Sequence, residues 1–135
     1  PSAYVRGNTR AVPLALSLMR SLEVGGARVL NGSRAFSLEL SKSAQAAVLK
    51  QLDIAHPRSL AFNDAEAALA GWTGGWPALV KPEQGGSGAR MFLLNEPEEL
   101  RRLLRDQPEL WLPDNLLLLQ EYFPTDPARG IVRLE

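Results

Sequence analysis

A lysine followed by a glycine-rich segment is the part of this sequence most suited to chemistry. Lys81 ends an apolar run, Pro82 breaks it, and a serine among glycines follows: Gly85, Gly86, Ser87 and Gly88. Glycines let successive backbone N–H groups converge on an anion, and a lysine at a strand end supplies positive charge. The segment therefore suits a phosphate group, although an ordinary glycine-rich hairpin turn has the same composition. Its spacing is neither that of a P-loop nor that of a dinucleotide-binding fingerprint.

A second lysine falls at the predicted start of a helix. Ser41 is a suitable N-cap for a helix that runs to Leu52, with Ala44 and Val48 on one face. Lys42 then lies in the first turn, where the helix dipole disfavours a cation by about a few tenths of a kcal/mol. Two interpretations stay open. Lys42 is either an exposed surface lysine or one that shares an anion with the helix N-terminus.

Composition excludes several other kinds of chemistry. The 135 residues include 15 basic and 15 acidic side chains, 45% hydrophobic residues, one histidine and no cysteine. Such a chain is typical of a globular domain without disulfides, thiolate metal sites or thiol nucleophiles. The balanced charge gives no reason to expect nucleic acid or a membrane as partner. No apolar run approaches the roughly 20 residues of a membrane span, and we expect a cytoplasmic protein.

The order of predicted elements indicates the fold class. A strand tail at 3–6 and a helix capped by Thr9 and ending at Gly25 come first, followed by a short strand at 27–30. From Ser41 onward the patterns predict helix, strand, helix, strand, loop, strand, helix and strand. This order predicts an α+β domain with a mainly antiparallel sheet and helices on one face, preceded by the end of an α/β region.

Four short strands and two helices make up the predicted domain after the Ser41 helix. The strands are apolar and bounded by turn residues: 60–62, 78–81, 91–94 and 116–121. One helix is capped by Asn63, and the other begins at Asn95 with leucines on its inner face. The outer face of the second helix carries Arg101, Arg102 and Arg105. We interpret these arginines as a solvated face that pairs with nearby acids.

Three separated blocks of the sequence resemble the ATP-grasp superfamily, and within it the RimK-like ligases that join a carboxylate to an amine. The blocks follow the family's order and cover 31–59, 77–91 and 116–133. The resemblance divides the chain into three parts: the end of a pre-ATP-grasp region (1–32), a nucleotide-binding subdomain (33–123), and a linker with the first strand of a second lobe (124–135).

The resemblance also implies which residues bind ATP. Lys42 and Lys81 are expected to hold the phosphates, with Lys81 near the α-phosphate and the adenine. The glycine segment from Gly85 to Gly88 is expected to close over the β- and γ-phosphates. The adenine is expected at the end of the last strand, and the ribose beyond it: Glu121, Tyr122 and Phe123 for the adenine, and Asp126 and Arg133 for the ribose.

Three positions depart from the family's pattern. Asp53 stands where a glycine is usual, and aspartate tolerates the left-handed backbone better than most residues. Arg90 replaces another glycine and is expected either to contact a phosphate or to point to solvent. Ile131 occupies the position of the family's ribose-binding acid, which is why Asp126 is considered in its place.

The resemblance implies an ATP-dependent ligase that activates a carboxylate as an acyl phosphate for attack by an amine or thiol. Its partners would be ATP, Mg²⁺ and a small carboxylate or peptide, with the metal ligands beyond residue 135. The alternative is a non-catalytic nucleotide-binding or scaffold module of the same fold. Because the sequence starts at Pro1 without methionine and ends at Glu135 within an alternating apolar run, we expect a piece of a longer enzyme. Such a piece should be inactive alone and prone to self-association through exposed apolar surface.

Overall fold

The computed structural model of the chain describes residues 11–85, 90–126 and 128. Three helices come first: α1 (Val12–Val24), α2 (Ser33–Leu40) and α3 (Lys42–Gln51). Strands and helices then follow in the order β1 (Ser59–Phe62), α4 (Ala65–Gly71), β2 (Ala78–Pro82), β3 (Phe92–Leu94), α5 (Pro97–Asp106), a 3₁₀ helix (Pro108–Trp111) and β4 (Leu117–Glu121). The order predicted from Ser41 onward is confirmed, apart from the short 3₁₀ helix.

The four strands form one antiparallel sheet in the order β1-β4-β2-β3. β4, the last strand among the described residues, lies in the interior of the sheet between β1 and β2. Leu119 of β4 is opposite Leu60 of β1 on one side and Val80 of β2 on the other. The prediction of an α+β domain with a mainly antiparallel sheet is confirmed.

The core lies on one face of this sheet. Phe62, Val80, Leu117 and Leu119 pack there with leucines of α5, and Leu100 has no exposed surface. The core also contains apolar residues of α4 and the 3₁₀ helix. Because successive side chains of a strand alternate between faces, Leu118 lies on the opposite face, and it is buried as well. β4 is therefore buried on both sides, as its continuous apolar run predicted.

The opposite face of the sheet carries polar side chains and is covered by α3. Ser59 and Ala61 of β1 line a cleft there together with Ala46 and Ala47 of α3. The prediction of helices on one face therefore describes α4 and α5, whereas α3 lies across the sheet from them. This arrangement places the N-terminus of α3 beside the end of β2.

Residues 11–40 depart most from the prediction. α1 ends at Gly25 as expected, but 27–30 forms no strand, and the helix α2 was not predicted. The carboxylate of Glu23 accepts hydrogen bonds from the backbone N–H of Ser33 (2.8 Å) and from its hydroxyl (2.6 Å). A glutamate on α1 thus caps the start of α2, ten residues away. No pattern of neighbouring residues indicates this helix start. Thr9 and the strand tail at 3–6 lie outside the described residues.

Two other predicted helix starts shift by one residue. Asp64, not Asn63, caps α4 by accepting a hydrogen bond from the N–H of Ala67 at 2.8 Å. At α5 the N-cap residue is Glu96, and the carboxylate of Glu99 accepts the N–H of Asn95 at 2.6 Å. Glu99 thus binds the residue before the N-cap, one position beyond the contact of a capping box.

The predicted solvated arginine face of α5 is present. Arg101 forms ion pairs with Glu66 (2.6 Å) and Glu98 (3.3 Å), and Arg105 forms one with Asp106 (3.4 Å). Hydrogen bonding to Arg101 lowers the pKa of Glu66. Surface ion pairs of this kind contribute about 0–1 kcal/mol each to the stability of a protein, so they do not determine the fold.

None of the helices in ranges 11–85 and 90–126 has the length and apolar character to cross a membrane.

We predict that Leu100→Ala lowers the free energy of unfolding by about 2–5 kcal/mol, because it leaves a cavity between α5 and the sheet. Leu18→Ala is the matched control, since Leu18 is also helical but is 59% exposed, and its change should stay within about 0.5 kcal/mol. Urea unfolding followed by circular dichroism measures both. Equal losses would contradict the assignment of the core to this face of the sheet.

Candidate functional site

A cleft of about 230 Å³ lies between α3 and the polar face of the sheet. α3, the connector before β1, and strands β2 and β4 all contribute to its lining, which consists of Lys42, Gln45, Ala46, Leu49, His56, Pro57, Lys81 and Gln120. The lysines Lys42 and Lys81, which were singled out from the sequence, are therefore brought together. A larger concavity of about 490 Å³ lies on the other side of the sheet, around Arg101, whose charge Glu66 already balances.

Lys81 is held by a chain of hydrogen bonds that crosses the sheet. Its ammonium group donates to the side-chain carbonyl of Gln120 (2.6 Å), and the side-chain amide of Gln120 donates to the Ser59 hydroxyl (2.8 Å). That hydroxyl in turn donates to the backbone carbonyl of Pro57 (3.1 Å). Among the described residues, Lys81 makes this one hydrogen bond. An ammonium group has three donors, so donors remain for an acceptor in the cleft.

Burial lowers the pKa of Lys81, the positive charge of Lys42 lowers it further, and Glu83 opposes both effects. The charged ammonium form of Lys81 is therefore less stable here than in water. An anion placed beside it would offset that penalty. Lys81 has the environment expected of a residue that binds a negatively charged group.

Lys42 reaches across to the segment that follows β2. Its ammonium group donates to the backbone carbonyls of Pro82 (2.8 Å), Glu83 (2.9 Å) and Gly85 (3.0 Å), which uses all three donors. Burial lowers the pKa of Lys42, against the opposing charges of Glu83 and Asp114. The interpretation of Lys42 as an exposed surface lysine is wrong. It ties α3 to the base of the glycine segment.

The anion at the N-terminus of α3 belongs to the protein. Glu83, which is 4% exposed, accepts hydrogen bonds from the Ser41 hydroxyl, from the Ser43 hydroxyl at 2.7 Å and from the Ser43 N–H at 3.1 Å. Sequence reasoning missed Glu83. A carboxylate directly after a buried strand was the available signal, but its partners lie 40 residues earlier and no local pattern links them.

The residues expected near adenine and ribose are only partly described. The N–H of Glu121 donates to the carbonyl of Arg58 at 2.9 Å, so this backbone group extends the pairing of β4 with β1. Tyr122 is half-buried, Phe123 is 58% exposed, and Asp126 accepts a hydrogen bond from the N–H of Ala128 at 2.9 Å. Within the glycine segment, Gly85 adopts a positive φ of 109°. The other members, Gly86, Ser87 and Gly88, lie outside the described residues, as does Arg133.

Two of the departures from the family pattern have clear backbone roles. Asp53 adopts the left-handed conformation (φ 54°) that was expected of a residue replacing glycine. Arg90 is also left-handed (φ 61°), and its guanidinium donates to the carbonyls of Glu109 (2.7 Å) and Leu112 (3.1 Å). Arg90 thus binds the end of the 3₁₀ helix, which is neither of the roles considered from the sequence.

The described ranges contain no group of three or more histidine, cysteine, aspartate or glutamate side chains arranged to hold a metal ion.

Comparison with known proteins identifies the fold. The RimK domain ATP-grasp protein of Sphaerobacter thermophilus superposes with a TM-score of 0.63 at 22% identity, over 82% of this chain and 42% of that one. The ATP-grasp ligase PsnB, in a complex with a minimal precursor, Mg and ADP, superposes with a TM-score of 0.53 at 27% identity, over 90% and 41%. The chain has the ATP-grasp fold. The resemblance drawn from the three sequence blocks is confirmed.

A sequence relative points to the same superfamily. The carbamoyl phosphate synthase large chain of Rubrobacter xylanophilus is 38% identical over 92 residues, which are 67% of this chain and 9% of that protein. No protein-family model matches the chain. The chain thus spans less than half the length of the ATP-grasp proteins to which it was compared.

We predict that Lys81→Met raises the melting temperature at neutral pH, because it removes a cation that burial and Lys42 disfavour. Lys50→Met is the matched control. Lys50 is exposed in the last turn of α3, where a cation is favourable, so its loss should slightly lower the melting temperature. A drop for Lys81→Met as large as that for Lys50→Met would contradict the description of Lys81 as an unfavourable charge.

The gain from Lys81→Met should shrink at alkaline pH. The pKa of Lys81 is lowered in the folded chain, whereas in the unfolded chain it is about 10.4. Between the two values the unfolded chain binds more protons, so the stability of the original chain rises with pH and approaches that of the variant. Thermal scans between pH 7 and pH 10.5 measure this convergence.

Proposed function

We propose that the chain is the ATP-binding portion of an ATP-grasp ligase. In the intact enzyme ATP would activate a carboxylate as an acyl phosphate, which an amine or a thiol then attacks. One observation carries the proposal: Lys81, a half-buried lysine with donors to spare, faces a cleft of the ATP-grasp fold beside a second lysine. The substrate class, a small carboxylate or a peptide, stays a prediction from the resemblance.

Two neighbouring cations in a half-buried cleft suit a polyphosphate. Each lysine has its pKa lowered first by burial, and Lys81 is further affected by the charge of Lys42. A polyphosphate supplies negative charge to both at once and replaces the water that each has lost. Fixed cations of this kind stabilise the charge on a phosphoryl group during its transfer.

The two lysines have different tasks in this proposal. Lys81 donates directly to a phosphate oxygen, while its bond to Gln120 keeps it pointed into the cleft. Lys42 holds the base of the glycine segment through the carbonyls of Pro82, Glu83 and Gly85 and adds its charge from there. Gly86, Ser87 and Gly88 are proposed to cover the phosphates.

The base and the sugar of the nucleotide are assigned by the same proposal. The adenine lies at Glu121, Tyr122 and Phe123, and the ribose near Asp126 and Arg133. The cleft of about 230 Å³ is smaller than the roughly 300–1,000 Å³ of a complete ligand pocket, which supports a site shared with a further part of the protein. We therefore keep the division into 1–32, 33–123 and 124–135 as part of the proposal.

Magnesium accompanies ATP in the proposed enzyme, and the solved structure of PsnB contains Mg with ADP. The described residues supply no group of three or more ligands that could hold magnesium without the nucleotide. No step of the proposal depends on a metal ligand from this range.

A non-catalytic nucleotide-binding module of the same fold is the second candidate. The occupied donors of Lys42 fit this candidate as well as the first, because a lysine engaged with three carbonyls has a structural role whether or not a phosphate is transferred. Both candidates require nucleotide binding. They differ in whether the intact protein forms acyl phosphate.

We predict that Lys81→Met weakens binding of a non-hydrolysable Mg-ATP analogue by roughly 10- to 150-fold. This range corresponds to the loss of a charged hydrogen bond of about 1.5–3 kcal/mol. Lys50→Met leaves the dissociation constant unchanged, because Lys50 lies outside the cleft. Titration calorimetry on the intact protein measures both variants, and equal affinities would refute the assignment of Lys81.

Affinity should also decline on the alkaline side. Because the pKa of Lys81 is lowered, the ammonium form that binds phosphate is lost below the ordinary value of about 10.4. The decline should be smaller in Lys81→Met, where only the charge of Lys42 is still lost as the pH rises.

A further inference from the structure

Every polar group of Glu83 is used, and its partners belong to two other parts of the chain. Its N–H donates to the carbonyl of Leu116 (3.3 Å), and its own carbonyl accepts Lys42 (2.9 Å). Its carboxylate accepts Ser41 and Ser43 at the start of α3. A single residue therefore joins the end of β2, the start of β4 and the N-terminus of α3.

Capping the helix does not by itself explain this carboxylate. The hydroxyl of Ser41 already accepts the N–H of Ala44 at 3.0 Å, which is the usual N-cap hydrogen bond. Burying a carboxylate is costly, and a helix that has its own cap gains only part of that energy back. Positive charges nearby would offset more of this cost.

Lys42 and Lys81 both lie beside Glu83: Lys42 donates to its carbonyl, and Lys81 precedes it by two residues at the end of β2, on the same face of the strand. The negative charge of Glu83 opposes the lowering of the pKa at both lysines. Asp114 has the same effect on Lys42 but is not among the causes for Lys81. The other ionisable group lining the cleft is His56, whose ring nitrogen Nδ1 lies 2.9 Å from the carbonyl of Ile54.

We propose that Glu83 is a positioning residue for both lysines: its carboxylate, fixed by Ser41 and Ser43, holds the backbone against Lys42 and balances the two ammonium groups. The N-terminus of α3 is then occupied by the protein's own anion and does not receive a phosphate. Lys42 acts on the nucleotide through the backbone that it holds, and direct contact is left to Lys81. This inference rests on the proposed function only where it concerns the nucleotide.

The test uses the three lysines of the chain as reporters. Lys42, Lys50 and Lys81 are the only lysines in the sequence, so a chain labelled with ¹³C at lysine Cε gives one resonance from each. In Glu83→Gln, which keeps the shape but not the charge, the pKa of Lys42 and that of Lys81 should both fall relative to the original chain. Lys50, exposed on α3, serves as the reference resonance.

Three matched variants separate charge from structure. Asp114→Asn should lower the pKa of Lys42 and leave that of Lys81 in place, and Ser37→Ala, which removes a hydrogen bond within α2 but none of Glu83, should move neither. Glu83→Asp keeps the charge and should restore both values towards those of the original chain. Glu83→Asp also decides the matter if Glu83→Gln does not fold. A fall in the pKa of both lysines in Glu83→Asp, as large as the fall that Asp114→Asn causes at Lys42, would overturn the proposal. Unchanged lysines in a folded Glu83→Gln would overturn it too.

Nucleotide affinity supplies a second and separate readout. The alkaline decline of binding of the Mg-ATP analogue should move to lower pH in Glu83→Gln and stay in place in Ser37→Ala. A decline that does not move would refute the role of Glu83 in binding. If the original protein binds no nucleotide, the proposed function fails, and the lysine titrations still decide the role of Glu83.

Discussion

The contact between the N-terminus of α3 and the end of β2 is the constraint on which the candidate site depends. Lys42 and Glu83 form it in opposite directions, since the lysine of the helix binds carbonyls of the strand end and the glutamate of the strand end binds the helix. The crossing fixes α3 over the polar face of the sheet and so creates the cleft. It also sets where the chain leaves β2 and enters the glycine segment. The position of Lys81 within the cleft follows from this arrangement and from its bond to Gln120.

The sequence was sufficient where structure follows from short-range patterns. Apolar runs bounded by turn residues located all four strands to within about a residue, and the Ser41 cap located α3, because both signals arise from neighbours in sequence. It failed where a partner lies far away in the chain. α2 begins at a serine that is held by Glu23, and Glu83 depends on serines 40 residues earlier, so neither could be read from its own surroundings. Lys42 was recognised as a residue of interest, but the identity of its anion and of its acceptors required the fold.

The site also explains why two lysines occur at positions that are unfavourable for them. Both lie where burial disfavours the ammonium form, and Lys42 additionally occupies a first helical turn. A protein selected for stability alone would place apolar residues at such positions. The hydrogen bonds around the lysines reduce this disadvantage without removing it, which is the usual compromise at a binding site. The ATP-grasp fold of the chain agrees with a functional reason for the two lysines.

The row formed by Lys81, Gln120 and Ser59 has a further effect on folding. These side chains come from β2, β4 and β1 and are linked across the sheet, with Ser59 directly opposite Gln120. Four leucines in succession make β4 nearly symmetrical, so hydrophobicity alone distinguishes poorly between its two faces. A slip by one residue would turn Gln120 into the apolar core and separate it from both partners. The polar row therefore selects one register for the central strand, so the residues that hold Lys81 in the cleft also disfavour mispairing of the sheet.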